Sequence, residues 1–282
     1  MQDQTARAQS GRTTDATPPL GRYYEVGGRR LLLHRLGSGS PAVVFLPGAG
    51  TVGLDYLNVQ ERAAALTTSV LYDRAGTGWS DRVKLPRTSA QVTDELRDLL
   101  RTAGVPPPYV LVGHSLGGLY ARHYAQRFPD EMAGLLLLDP AHEDYPSMPK
   151  PTLLGGLRQG LALIRVLLHY KRLYRGLFAQ EMADWPEEIR QPLIERHVSM
   201  RWLPVGLREA KNIDQLYDEV RHAGPLPDVP LIVLTSMGID GFKEAVLVGR
   251  IRVAAPRGDR RQAAALHGAG RISPTRREPP HR

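Results

Sequence analysis

The residues best placed to do chemistry are Gly113-His114-Ser115-Leu116-Gly117. A short apolar run of strand character, Tyr109–Val112, leads into them, and a helical pattern reaching about Phe128 follows. A serine between glycines at a strand–turn–helix junction is the arrangement that holds a nucleophilic hydroxyl at the apex of a strained turn. The glycines have a mechanical part, because neighbours without a Cβ let strand and helix approach closely. The backbone N–H of Leu116 then leads a helix N-terminus, aimed where an oxyanion would form. In isolation the same five residues would also suit a glycine-rich turn with a helix-capping serine. The flanking strand and helix favour the nucleophile. His114 is expected to pack or hydrogen-bond locally, since serving Ser115 as base would need its imidazole turned back onto a neighbour's Oγ.

A serine in this position needs a frame. With 282 residues and a hydrophobic fraction of 42%, the chain suits one α/β core carrying an inserted subdomain. It has no cysteine, which excludes disulfides, thiolate metal sites and a cysteine nucleophile. Net charge is +8, but nine arginines against Asp259 and Glu278 put +7 of it from Arg250 onward. A nucleic-acid reader should carry its basic surface on the folded body, so no nucleic-acid partner is expected. The first twenty residues are polar and no run approaches a membrane span, so a cytoplasmic protein is expected.

Residues 1–22 read as a disordered polar arm. Tyr23–Val26 and Arg29–Leu36 are extended runs joined by Gly27-Gly28, the pair that a two-residue hairpin favours. Ala42–Leu46, Ser69–Tyr72, Gly134–Leu138 and Leu231–Thr235 are continuous apolar runs, as expected of strands buried on both faces. Helical patterns lie at Leu54–Leu66 and at Ser89–Thr102, where Val92, Leu96, Leu99 and Leu100 share one face. Alternating strands and helices predict a mostly parallel, doubly wound sheet. Residues 145–224 break the alternation with helical candidates alone, at Leu153–Phe178, Pro186–Trp202 and Leu207–His222. They read as a helical cap inserted after the sixth strand, leaving 23–144 and 225–249 as the core. Residues 250–282 form a basic tail rich in Arg, Pro and Ala.

Four segments, each after a predicted strand, resemble the α/β-hydrolase superfamily, in its cap-bearing branch of soluble serine hydrolases. They are Leu46-Pro47-Gly48-Ala49-Gly50, Tyr72 through Asp81, Gly113 through Gly118, and Leu138-Asp139-Pro140-Ala141-His142. The resemblance covers about Gly21 to Asp240. It implies an eight-stranded sheet, no cofactor, and a nucleophile–acid–histidine triad in that chain order. Ala49 N–H would be the second oxyanion donor beside Leu116, in the family's His-Gly-x loop, where this chain has Pro47 in place of the histidine. Asp73 and Arg74, in a segment resembling the family's Asp-Arg-x-Gly-x-Gly-x-Ser loop, are expected to brace that loop. His142, Glu143 and Asp144 read as a solvated loop start without metal-binding spacing.

The resemblance offers two acids. Asp240 follows the next-to-last predicted strand and is favoured; Asp139 is the alternative. The base should follow in a Gly-His context some 25–30 residues later, and only His267 fits that window. Its surroundings depart from the family pattern, with little apolar periodicity from Arg250 onward and no closing helix. The shift in composition near Gly249 is that expected of an out-of-frame or otherwise altered C-terminus, which would remove the last strand, its histidine and the closing helix. The resulting expectation is a serine hydrolase cleaving a small apolar carboxylic ester or related acyl compound through Ser115, His267 and Asp240. A carboxylate-nucleophile chemistry, as in epoxide hydrolases and haloalkane dehalogenases, is disfavoured by the serine. The competing expectation is an inactive protein of the same fold. Substrate identity and oligomeric state are left open.

Overall fold

The computed structural model describes residues 17–144, 175–176, 178–180, 182–199 and 203–235. Its frame is a seven-stranded sheet in the order β1-β2-β4-β3-β5-β6-β7. The strands are β1 (Arg22–Val26), β2 (Arg29–Leu36), β3 (Ala42–Leu46), β4 (Ser69–Tyr72), β5 (Tyr109–His114), β6 (Met132–Leu138) and β7 (Leu231–Leu234). β1 pairs antiparallel with β2 and β2 antiparallel with β4, whereas every pairing from β4 to β7 is parallel. The β1–β2 hairpin turns on Gly27 and Gly28 at φ of 55° and 75°, the two positive values that a type I′ turn requires. An eighth strand would fall beyond residue 235, outside the described residues.

Among the described residues the sheet is accompanied by the helices α1 (Leu57–Ala64), α2 (Ser89–Thr102), α3 (Leu116–Arg127), α4 (Glu187–His197), α5 (Leu203–Glu209) and α6 (Ile213–His222). α2 starts on a capping box: Thr88 Oγ1 accepts from Gln91 N at 3.1 Å while Gln91 Oε1 accepts from Thr88 N at 3.1 Å. Its buried face carries Val92, Leu96, Leu99 and Leu100, the stripe that the sequence period predicts.

Strands β3, β4 and β5 are covered on both faces, in keeping with their unbroken apolar runs, whereas β7, expected from its sequence to be buried on both faces, leaves Ile232 and Leu234 exposed. Val44, Leu46, Val70, Tyr72, Leu111 and Leu137 belong to one core cluster, shared with α2 and α3. The alternate residues Phe45, Leu71 and Val112 belong to a second, with Val52, Leu54, Leu57 and Trp79. The described helices between β6 and β7 divide between the two. Leu193 and Ile194 of α4 and Val205 of α5 join the second cluster. Leu216 and Val220 of α6 join the first. Strand order reverses at β3, which has β4 on one side and β5 on the other. The carboxyl ends of β3 and β5 therefore face a topological switch point, where open α/β sheets place their ligand sites.

Candidate active site

Ser115 stands between β5 and α3 with φ 50° and ψ −119°. Positive φ in a non-glycine residue costs about 1–3 kcal/mol and persists only where the surroundings over-determine it. Here they do. Ser115 N donates to Leu138 O at 3.1 Å, and Ser115 O accepts from Gly118 N at 2.9 Å and Ala141 N at 3.1 Å. The helix can come this close only because glycines face the strands. A Cβ on Gly113 would lie 2.7 Å from Gly118 Cα, and one on Gly117 would lie 2.0 Å from Leu46 O. Although Ser115 occupies the N-cap position of α3, its hydroxyl makes no capping hydrogen bond. The capping role that this residue type would suit is therefore not the one it plays, and the half-buried side chain is left at the mouth of the turn.

The loop after β3 lies directly opposite. A Cβ on Gly48 would meet Ser115 Cβ at 3.4 Å and His114 Nδ1 at 3.0 Å. His114 does not turn toward Ser115; its Nδ1 pairs with the Tyr56 hydroxyl at 2.8 Å. Burial lowers its pKa, opposed by the charge of Asp139, so the ring is neutral at physiological pH. This is the local hydrogen-bonding role expected from the sequence.

Arg74 is 1% exposed, and its guanidinium braces the Pro47–Gly50 loop. Nη1 donates to Pro47 O at 2.6 Å and Nη2 to Gly48 O at 2.9 Å. The charge is answered by Glu209, at the end of α5, with Arg74 Nε donating to Oε1 at 3.0 Å. Burial works against the Arg74 charge, but Glu209 outweighs it and raises the guanidinium pKa. Glu209 Oε2 also accepts from Gly50 N at 2.9 Å. Asp73 holds its own loop: its carboxylate accepts from Gly53 N and Trp79 N, both at 2.8 Å. Burial pushes the Asp73 pKa up to about 6 despite these two bonds. The bracing expected of this pair thus divides, with Asp73 tying the 73–81 segment to the turn at Gly53 and Arg74 reaching the loop opposite Ser115.

The remaining sequence candidates fare differently. Asp139 follows β6 immediately, at φ 43°, with its N–H donating to Leu234 O at 2.7 Å, one residue beyond the Leu138 carbonyl that binds Ser115 N. Asp240 and His267 lie outside the described residues. The sequence has nine histidines. Six fall in the described residues, and each bonds through a ring nitrogen to a group other than Ser115: Gln60 for His34, Tyr56 for His114, Ser89 for His123, the Asp144 amide for His142, Asp55 for His197 and the Asp218 carbonyl for His222. Of the 142–144 segment only Asp144 has the solvated character that the sequence suggests. His142 is buried, and Glu143 makes a two-pronged ion pair with Arg122 of α3 at 2.5 and 2.7 Å. Sequence reasoning missed Glu209 and Tyr56. The signal for Glu209 was indirect: an arginine behind a buried strand end must find a carboxylate.

A strained serine at a helix N-terminus, a backbone loop facing it and a parallel sheet beneath define the class of protein. The chain belongs to the alpha/beta hydrolase family, whose model matches residues 43–275. Among curated proteins it is 36% identical to YqjL of Bacillus subtilis over 114 residues, covering 40% of this chain and 45% of that protein. It is 35% identical to the human (lyso)-N-acylphosphatidylethanolamine lipase over 105 residues, 36% of this chain and 30% of the lipase. The chain thus spans less than half the length of these relatives. Among solved structures it resembles Cfl2 from Burkholderia cenocepacia, with TM-score 0.60 and 18% identity, covering 80% of this chain and 84% of that one. No helix of the described residues is long and apolar enough to cross a membrane.

Proposed function

We propose that the protein is a serine hydrolase that cleaves a carboxylic ester or related acyl compound through an acyl-enzyme on Ser115. The observation that carries this reading is the Ser115 turn: positive φ, glycine-enforced close packing, and a hydroxyl that does not cap its helix. A serine held this way at a structural cost has a use other than stability. In the proposed reaction Ser115 Oγ attacks the substrate carbonyl while a base takes its proton. The tetrahedral oxyanion is received by the N–H groups of Leu116 and Ala49. Leu116 N–H heads α3. The Ala49 N–H belongs to the peptide whose carbonyl, Gly48 O, accepts from Arg74 Nη2. In a planar trans peptide the N–H points opposite to the C=O, so this N–H is turned away from Arg74.

His267 is the proposed base, supported by the other bonding of the six described histidines. Asp240 is the proposed acid that orients it, with Asp139 the alternative. The helical run between β6 and β7 is the proposed cap, and a small apolar acyl compound the proposed substrate. One curated relative is named a (lyso)-N-acylphosphatidylethanolamine lipase, and acyl chemistry of that broad kind is consistent with this site.

The test is labelling with a fluorophosphonate and turnover of p-nitrophenyl acetate and butyrate. Ser115→Ala should abolish both and leave the circular dichroism spectrum unchanged. His267→Ala should lower kcat by about 10⁶-fold and Asp240→Asn by about 10⁴-fold, the sizes of effect seen when a triad loses its base or its acid. If Asp139→Asn shows that loss and Asp240→Asn does not, Asp139 is the acid. Well-folded protein that takes up no probe, or labelling that persists in Ser115→Ala, defeats the hydrolase reading in favour of an inactive protein of this fold.

A further inference from the structure

Arg74 and Glu209 are both buried, at 1% and 4% exposure, and stand 135 positions apart in the chain. A buried ion pair is tolerated when hydrogen bonds satisfy its remaining donors and acceptors, and where those bonds go shows what the pair holds. The Arg74 side takes the carbonyls of Pro47 and Gly48. The Glu209 side takes the amide of Gly50. All three bonds land on the four-residue loop that faces Ser115. Two successive carbonyls and one amide are thereby turned inward to the pair, and the Ala49 N–H between them is turned outward. Thr51 adds to this, with Oγ1 donating to Gly48 O at 3.0 Å.

Glu209 arrives on α5, and α5 touches the same loop backbone to backbone. A Cβ on Gly206 would sit 3.2 Å from Gly50 Cα and 3.3 Å from Ala49 O, so any larger residue there would press the loop backbone or the helix back by a few tenths of an ångström. The loop after β3 therefore has no complete set of partners without α5.

We infer that Glu209 is a positioning residue: through Arg74 and the Gly50 amide it fixes the Gly48–Ala49 peptide, so the loop is set for oxyanion binding only while α5 is seated on it. What the loop does rests on the serine-hydrolase reading; how it is held does not. The carboxylate matters by its acceptor count. Glutamine in its place offers one acceptor oxygen and an NH₂ group, which must oppose either the guanidinium or the Gly50 N–H. Aspartate keeps both acceptors on a side chain one methylene shorter.

The experiment is hydrogen–deuterium exchange on the full-length protein, following residues 48–51 against β3 and β5, together with the rate of fluorophosphonate labelling. Glu209→Gln should speed exchange in the loop by about tenfold, the loss of one charged hydrogen bond, with β3 and β5 unchanged. Labelling should slow by about 10²-fold or more, the effect of disturbing one oxyanion donor. Glu209→Asp should restore part of both. Gly206→Ala, which presses on the loop backbone at Ala49 and Gly50 and leaves both charges in place, should shift loop exchange in the same direction. Loop exchange equal to wild type in Glu209→Gln and Gly206→Ala overturns the inference. So does loop exchange that rises only together with β3 and β5, which is the behaviour of an ordinary structural ion pair. Persistent labelling of Ser115→Ala would defeat the hydrolase reading separately, and the loop exchange would still decide the role of Glu209.

Discussion

At the scale of single residues, two glycines separate steric from conformational demand. Gly117 has no need of positive φ, but a Cβ there would lie 2.0 Å from Leu46 O and 2.6 Å from Pro47 O. Both obstacles are backbone, so neither can rotate away. Gly104 closes α2 at φ 64°, and a Cβ there would meet nothing within 4 Å. Alanine at Gly104 should therefore cost only the left-handed backbone penalty, about 1–2 kcal/mol. At Gly117 the helix carrying the Ser115 turn must move, and the loss should exceed about 4 kcal/mol, in the exceptional range for a single substitution. Urea midpoints of the two variants measure this. Equal losses would show that close approach is not what requires glycine beside the nucleophile. Much at this scale was legible in the sequence, because Gly-x-Ser-x-Gly is a local pattern whose geometry follows from the absence of two Cβ atoms. Glu209 was not legible. Its environment in the sequence is an ordinary helical run, and its partners are set by the three-dimensional fold alone.

At the scale of elements, the clearest link between the inserted helices and the sheet is the end of α4. His197 Nε2 pairs with Asp55 Oδ1 at 2.7 Å, and its ring stacks on Phe178 at 4.5 Å between centroids. Asp55 meanwhile accepts from Val52 N with its other oxygen at 2.9 Å, so the pair ties α4 to the turn that follows the Ser115-facing loop. Burial works to lower the His197 pKa, but the charge and hydrogen bond of Asp55, assisted by Asp73 and opposed by Arg196, carry it above the ordinary 6.5. A group whose folded pKa is raised contributes fully below its unfolded value and loses that contribution as pH rises through the folded one. The attachment of α4 should thus be strongest below pH 6.5 and weaken above it. The stability difference between wild type and His197→Gln, from urea unfolding, should be about 1.5–3 kcal/mol at pH 5.5, the value of a charged hydrogen bond, and shrink toward pH 8.5. A difference that grows with pH would refute the charged pair. Elements were also where sequence reading was sharpest and where it blurred. The bounds of β2, β3, β4 and α2 follow from apolar runs and caps and agree with the structure. The helical candidate at Leu54–Leu66 instead begins as a 3-10 turn at Gly53–Tyr56, where a Cβ on Gly53 would strike Tyr72 at 2.8 Å. Leu207–His222 resolves into the end of α5, a 3-10 turn at Ala210–Asn212 and α6. Glu209, the last residue of α5 before that break, meets distant Arg74, a contact that no window of sequence contains.

At the scale of the whole molecule, the helices between β6 and β7 are part of the core. Leu193 of α4 is fully buried in the cluster containing Phe45, Leu71 and Val112 of the sheet. Leu216 of α6 is fully buried in the other cluster, among residues of α2, α3 and the opposite sheet face. Polar bonds follow the same division, for Gln126 of α3 donates to Val220 O at 3.0 Å and Glu219 accepts from Ala90 N at 3.0 Å. Described helices packed into both clusters of the sheet should unfold together with it. Leu193→Ala and Leu216→Ala should each cost about 2–5 kcal/mol, the usual range for emptying a packed leucine site. Each should also shift the entire urea transition, with tryptophan fluorescence and far-UV circular dichroism moving together. Two of the three tryptophans, Trp79 and Trp185, lie in or against the cluster that holds Leu193, so in a Trp202→Phe background fluorescence reports that face while circular dichroism reports the whole chain. A Leu193→Ala variant whose fluorescence melts first, with the dichroism transition unchanged, would show that α4 and α5 form an independent cap. Movement of both signals together would mean that the seat of α5 on the Ser115-facing loop is secured by the same packing that holds the sheet.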